Sequence, residues 1–163
     1  HCLAVLARRA RGTALPVAGG AHVDVEGRLF AGNLCVLCAL VGTTGFPKLA
    51  GAIVVLEEVG ERPYRVDRML TQLIQSGALD GVSAVVAGHL TGCVEPQNGS
   101  GARDPAPAAV QVFAERRGAA GIPFASGLDA GHEAPNRALP LGVPARLTVR
   151  ASGGTLSLLE DLP

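Results

Sequence analysis

The sequence predicts an α/β domain with a central, partly parallel sheet and a second, antiparallel layer. Two uncharged, mainly aliphatic runs, residues 51–56 and 81–87, are typical of strands buried on both faces, as in parallel sheets. An amphipathic helical pattern over 64–75 lies between them, and strands that alternate with helices favour a parallel arrangement. Near the end of the chain, two short alternating segments flank Ser152-Gly153-Gly154, which predicts an antiparallel hairpin.

The first part of the chain is less regular. We expect one strand over residues 17–25 and a turn at Gly27-Arg28. Asn33 is a suitable N-cap for a short apolar helix over 33–40, because its side chain can accept a hydrogen bond from the first turn. The remaining expected elements are the strand 51–56 that stops at two carboxylates, the helix 64–75, the strand 81–87, a long loop over 88–107, a helix over 108–117, a short strand over 122–125, a second long loop over 127–139, and the hairpin strands 145–150 and 155–159.

Length and composition limit the possible functions. The 163 residues, 48% hydrophobic and 17% charged, are sufficient for one domain with a sizeable core. Fourteen basic residues balance fourteen acidic ones, so we expect neither a nucleic-acid partner nor an electrostatically bound membrane. The apolar runs are shorter than a membrane span and no secretory signal opens the chain. Because His1 stands where an initiator Met would be, we expect the chain to be a fragment.

The cysteines give only a weak indication of chemistry. Cys35 and Cys38 form a C-x-x-C motif, but their neighbours are aliphatic and no second pair exists, so we expect buried thiols rather than a redox or zinc site. His89 and Cys93 are only two potential ligands. We therefore expect no metal and no cofactor. Unpatterned thiols also favour a reducing compartment, the cytoplasm.

Polar residues follow the predicted strands at three points: Glu57-Glu58, Gly88-His89 and Gly131-His132. Function in open α/β sheets concentrates at the carboxyl ends of parallel strands. The carboxylates could equally form a salt-bridged surface turn, and a histidine in a loop is often merely exposed. His132 could act as a general base oriented by a carboxylate, but no G-x-S-x-G motif supplies a nucleophile. The residues alone thus predict an acid and a histidine without a nucleophile.

Three blocks of the sequence carry a family resemblance. Residues 27–34 (GRLFAGNL), 51–73 (GAIVVLEEVGERPYRVDRMLTQL) and 131–136 (GHEAPN), the last followed by 139–142 (LPLG), resemble the LD-carboxypeptidase family of serine peptidases. That family includes murein tetrapeptide carboxypeptidases and microcin C immunity peptidases. The blocks follow the family's order, and the long block around the carboxylates is specific.

The resemblance covers the C-terminal half of such enzymes. It implies a swivelling β/β/α domain over residues 27–163, preceded by residues 1–26 as a residual linker from a missing N-terminal domain. In the family, that N-terminal domain carries the nucleophilic serine. One departure is Ala31-Gly32-Asn33, where members commonly show Gly-Gly-Asn.

Candidate site residues follow from the matched motifs. Glu57 corresponds to the triad carboxylate and His132 to the triad histidine, with Glu58 and Glu61 as the alternative carboxylates. The implied reaction is hydrolysis of the L,D peptide bond that releases terminal D-Ala from murein tetrapeptide during cell-wall recycling. The alternatives are a microcin C immunity-type peptidase of the same family and a non-catalytic binding domain. The expected partners are the peptide substrate, the N-terminal catalytic domain and a second copy of the chain in a homodimer.

Overall fold

The computed structural model describes residues 11–95 and 108–161. Within these ranges the chain forms one seven-stranded mixed sheet and three helices. The elements are β1 (Ala14–Val17), β2 (Val23–Asn33), α1 (Leu34–Ala39), β3 (Ala52–Val59), α2 (Pro63–Gln75), β4 (Ala84–Thr91), α3 (Ala109–Ala119), β5 (Phe124–Ala125), β6 (Pro144–Arg150) and β7 (Gly153–Leu158).

The strand order is β1-β7-β6-β2-β3-β4-β5, and β2 joins the two halves of the sheet. Its first six residues pair antiparallel with β6, and its last six, Arg28 to Asn33, pair parallel with β3. The turn predicted at Gly27-Arg28 is therefore wrong, because both residues lie inside the longest strand. A Cβ on Gly27 would lie 2.4 Å from the carbonyl oxygen of Gly51, so the glycine allows the chain entering β3 to approach closely.

The two faces of the parallel strands are buried by different layers. Val54 and Leu56 of β3 belong to the core beneath the helices. Ile53 and Val55 belong to a second core, which they share with side chains of the antiparallel strands. The parallel strands are thus covered on both sides, as their uncharged, mainly aliphatic runs predict.

The sheet curls strongly. The backbone N–H of Ala18, just after β1, donates to the carbonyl of Ser126, just after β5, at 2.7 Å. These two strands are at opposite ends of the strand order and would lie about 29 Å apart in a flat sheet. The α/β class and the antiparallel layer predicted from the sequence are therefore confirmed, and that layer is a continuation of the same hydrogen-bonded sheet.

Several predicted boundaries change. The single strand expected over 17–25 is wrong, because β1 ends at Val17 and β2 begins at Val23. Residues 14–17 and 23–26 lie in the sheet, with Leu15 only 1% exposed, so the described residues before 27 are part of the folded domain rather than a linker. The three predicted helices are confirmed to within about two residues at each end. Part of the expected loop over 88–107 lies outside the described residues.

Candidate active site

Glu57 lies near the end of β3, at the edge of the sheet where the parallel strands terminate. The strand does not stop before the carboxylates, as the sequence suggested, but runs through Glu57 and Glu58 to Val59. The Oε2 atom of Glu57 is 2.6 Å from Nδ1 of His132, and the two side chains are 14% and 52% exposed. The structure thus brings together two sequence-predicted site residues that are separated by 75 positions.

An irregularity in the pairing of β3 with β4 lies directly beside Glu57. Leu56 pairs with Ala87 and Glu58 pairs with Leu90, so Gly88 and His89 together oppose Glu57. Such a bulge leaves one residue outside the regular hydrogen bonding between the two strands and changes the direction of its backbone groups. The sequence placed this segment after the strand, whereas the structure places it inside β4.

The backbone freed by the bulge holds the segment that carries His132. The N–H of His89 donates to the carbonyl of Ala130 at 2.7 Å. A Cβ on Gly88 would lie 2.4 Å from that same oxygen, so this close approach requires glycine. The local geometry of β4 therefore determines the position of the residues just before His132.

The segment itself is constrained at Gly131. This residue has φ +138°, and a Cβ there would lie 2.8 Å from Cβ of His89 and 3.1 Å from Cβ of Glu57. The Asn136 side chain closes the loop, because its Nδ2 donates to the carbonyl of Gly131 at 2.6 Å and its Oδ1 accepts from the N–H of Gly131 at 3.2 Å. His132 is exposed, but its backbone is fixed on both sides.

The other two candidate carboxylates have different partners. Glu58 is only 2% exposed, and it accepts hydrogen bonds from Nδ2 of Asn33 at 3.0 Å, the N–H of Cys35 at 2.8 Å and the N–H of Val59 at 2.9 Å. It therefore caps the first turn of α1, a role that the sequence analysis missed. Asn33 is the N-cap as predicted, with Oδ1 accepting from the N–H of Val36 at 3.0 Å.

Glu61 lies beyond the end of β3 and pairs with Arg65 across one turn of chain, at 3.2 Å. Of the three carboxylates considered from the sequence, Glu57 is the one in contact with His132.

A shallow cleft of about 220 Å³ opens beside the His132–Glu57 pair. Residues 31–33 of β2 line one side and residues 130–132 the other. The described residues that line it include no serine, threonine or cysteine. Within residues 11–95 and 108–161, Glu57 is the hydrogen-bond partner of the His132 ring, so Nε2 is left without a partner in these ranges and the side chain is half exposed. The arrangement can accept a proton at Nε2 while the carboxylate holds Nδ1.

The three cysteines among the described residues, Cys35, Cys38 and Cys93, are free thiols. The expectation that both thiols of the C-x-x-C motif are buried holds for Cys38 and is wrong for Cys35. Cys38 is 6% exposed and its Sγ donates to the carbonyl of Met69 at 3.3 Å, whereas Cys35 is exposed. Burial raises the pKa of the Cys38 thiol to about 11, the opposite of the shift that activates a redox cysteine. Cys93 is also buried, and burial raises its pKa.

The described residues contain neither a cluster of metal ligands nor a helix that could cross a membrane. In the ranges 11–95 and 108–161, no group of three or more His, Cys, Asp or Glu side chains is arranged to hold a metal ion. None of the helices in these ranges has the length and apolar character needed to cross a membrane.

Comparisons with known proteins agree on one family. The family profile described as the LD-carboxypeptidase C-terminal domain matches residues 26–147. Murein tetrapeptide carboxypeptidase of Pseudomonas aeruginosa is 38% identical over 130 residues, which cover 79% of this chain and 40% of that protein. The microcin C7 self-immunity protein MccF of Escherichia coli is 30% identical over 140 residues, covering 84% of this chain and 38% of that protein.

Solved structures give the same result. The crystal structure of muramoyltetrapeptide carboxypeptidase from Oxalobacter formigenes matches with a TM-score of 0.80 and 34% identity, covering 93% of this chain and 51% of that chain. The chain spans about 40% of the length of three curated relatives that it matches. The family profile, the relatives and the shared fold together show that this chain belongs to the LD-carboxypeptidase family and corresponds to its C-terminal domain.

Proposed function

We propose that this domain supplies the base and the acid of a Ser-His-Glu triad in a serine LD-carboxypeptidase that releases terminal D-Ala from murein tetrapeptide. The observation that carries the proposal is the 2.6 Å contact between Nδ1 of His132 and Oε2 of Glu57, made by a half-exposed histidine that lines the cleft. In a serine peptidase the acid fixes the tautomer of the histidine, and the opposite ring nitrogen meets the serine.

The proposed reaction begins with transfer of the serine proton to Nε2 of His132 as the serine oxygen attacks the carbonyl of the L,D bond. Glu57 stabilises the imidazolium that forms, because its carboxylate contacts Nδ1. The imidazolium then protonates the leaving D-Ala nitrogen, and water releases the acyl group in a second round with His132 again as base.

The nucleophile of this mechanism lies, in our proposal, in an N-terminal domain outside these 163 residues. Two observations support this. The matched relatives are more than twice as long as the matched region, and no serine is among the described residues that line the cleft. The triad is thus completed at an interface between two domains, and this chain alone is expected to be inactive.

We favour murein tetrapeptide over a microcin-type compound as the substrate of the whole protein. Identity is 38% to the murein tetrapeptide carboxypeptidase and 30% to MccF, and the TM-scores to solved examples are 0.80 and 0.66. We place the activity in the cytoplasm, where peptides from the cell wall are recycled. Cleavage of a microcin-like aminoacyl-nucleotide remains the second candidate, and loss of catalysis with retention of peptide binding is the third.

The test is release of D-Ala from murein tetrapeptide by the product of the whole gene, compared with the 163-residue chain and with His132→Ala in the whole protein. We expect turnover only with the unaltered whole protein. Turnover by the 163-residue chain at a comparable rate would contradict the location proposed for the nucleophile. Peptide binding without turnover by the whole protein would favour the non-catalytic alternative, and cleavage only of an aminoacyl sulfamoyl nucleoside would favour the microcin-type alternative.

A further inference from the structure

The second histidine near the cleft, His89, contacts the His132 segment in three ways. Its backbone N–H donates to the carbonyl of Ala130 at 2.7 Å, and its Cβ lies beside Gly131. The side chain makes the third contact, because Nδ1 of His89 lies 3.2 Å from the backbone nitrogen of Glu133, which carries the donating hydrogen. The contacts to Ala130 and Glu133 therefore bracket His132 on its two sides.

The direction of the side-chain hydrogen bond determines the tautomer of His89. A backbone N–H can only donate, so Nδ1 of His89 must carry the lone pair and Nε2 the proton. His132 has the reverse requirement, because its Nδ1 faces a carboxylate oxygen of Glu57 and must donate. The two rings should therefore be found as opposite neutral tautomers.

We propose that His89 is a positioning residue, whose neutral ring accepts the N–H of Glu133 and thereby holds His132 over Glu57. This inference rests on the proposed function of His132. His89 acts through the backbone of the loop and does not touch the reacting atoms. The loop needs such support because His132 itself is 52% exposed and its ring has one hydrogen-bond partner within the described residues.

Two substitutions of His89 distinguish the effect of losing the hydrogen-bond acceptor from the effect of changing the shape of the side chain. Asn places an amide oxygen close to where His89 has Nδ1, so His89→Asn keeps the acceptor. His89→Leu has similar bulk and no acceptor. A positioning role predicts a lower kcat for His89→Leu with an unchanged KM, and restoration of kcat by His89→Asn. Loss of one such hydrogen bond corresponds to a decrease of roughly fivefold in kcat.

The first experiment needs no variant. Long-range ¹H–¹⁵N NMR spectra of the 163-residue chain at pH 8, where free imidazole is neutral, report which ring nitrogen carries the proton. We expect the proton of His89 on Nε2 and that of His132 on Nδ1. A proton on Nδ1 of His89 overturns the present inference. A proton on Nε2 of His132 contradicts the proposed triad geometry instead, so failure of the two proposals can be distinguished.

The second experiment measures kcat and KM for tetrapeptide hydrolysis by the whole protein carrying each substitution. The positioning role is supported if kcat of His89→Leu is near one-fifth of the unaltered value and kcat of His89→Asn is within twofold of it. Equal values for the two variants, whether both low or both unchanged, overturn it. Amide hydrogen exchange at Glu133 in the 163-residue chain provides a readout independent of activity, with faster exchange expected in His89→Leu and not in His89→Asn.

Discussion

Glu57 and Glu58 are neighbours in β3, yet their carboxylates lie on opposite faces of the sheet. Glu57 contacts His132 on the face shared with the antiparallel layer, and Glu58 caps α1 on the helical face. Side chains alternate along a strand, so two adjacent acids necessarily meet different environments. One strand end thus both anchors a helix and presents a carboxylate to the cleft.

This separation predicts different effects for two matched substitutions in the whole protein. Glu57→Gln should reduce kcat on the order of 10³-fold or more with little change in thermal stability, because it removes the charge that stabilises the imidazolium. Glu58→Gln should leave the chemistry intact but lower the free energy of unfolding by about 1–3 kcal/mol, because one of its buried acceptor oxygens becomes a donor. Steady-state kinetics and urea unfolding measure the two effects.

The control for this pair is Glu61→Gln, whose side chain is paired with Arg65 at the surface and should change neither quantity by much. Near-normal turnover in Glu57→Gln together with loss in Glu58→Gln or Glu61→Gln would show that another carboxylate is the triad acid. If none of the three changes turnover, the triad itself is wrong.

The close packing at Gly88 gives a second prediction. In Gly88→Ala the new methyl group would lie 2.4 Å from the carbonyl oxygen of Ala130, so the segment carrying His132 must move away from β4. We expect kcat of the whole protein to fall at least tenfold, because misplacement by about 1 Å is costly in catalysis. Gly118→Ala in α3 is the matched control, since nothing lies within 4 Å of its added methyl group and alanine favours a helix. Equal activity of the two variants would show that the loop tolerates the displacement.

Thiol chemistry gives a third prediction, which tests the structural role of the C-x-x-C motif. Iodoacetamide at pH 8 should modify Cys35, which is exposed, much faster than Cys38 or Cys93, which are buried and have raised pKa values. Cys2 lies outside the described residues and is replaced by Ser in the test protein so that it cannot contribute. Peptide mass spectrometry over time measures each site. Rapid modification of Cys38 in folded protein would contradict its burial.

The elements that were predicted well are those whose signals are local. The helix 33–40 followed from Asn33 as an N-cap, and the helix 64–75 from its apolar spacing; both are present as α1 and α2. The aliphatic run predicts β3 but ends it too early, because a carboxylate can remain in a strand when a partner from elsewhere in the chain donates a hydrogen bond to it.

What the sequence could not predict depends on contacts between distant segments. The sequence predicts a turn at Gly27, whereas the structure places this residue within a strand, where the close backbone of Gly51 requires a glycine. The bulge at Gly88 and His89 leaves no local pattern, because it is defined by pairing with β3 and by the approach of Ala130. The cap formed by Glu58 on α1 likewise joins residues about 23 positions apart.

The raised pKa of Cys38 predicts how stability changes with pH. Burial raises this pKa from 9.0 to about 11, so the folded state holds the thiol proton more tightly than the unfolded state. The stability associated with the protonated thiol is fully present below pH 9 and is lost as the pH rises towards 11. Urea unfolding at a series of pH values should therefore show a steeper decline between pH 9 and 11 for the unaltered chain than for Cys38→Ala. The comparison removes the contributions of other groups that titrate in this window, Cys93 among them, because both proteins share them. Parallel declines would mean that the Cys38 thiol has the same pKa in the folded and unfolded states, which would contradict its burial.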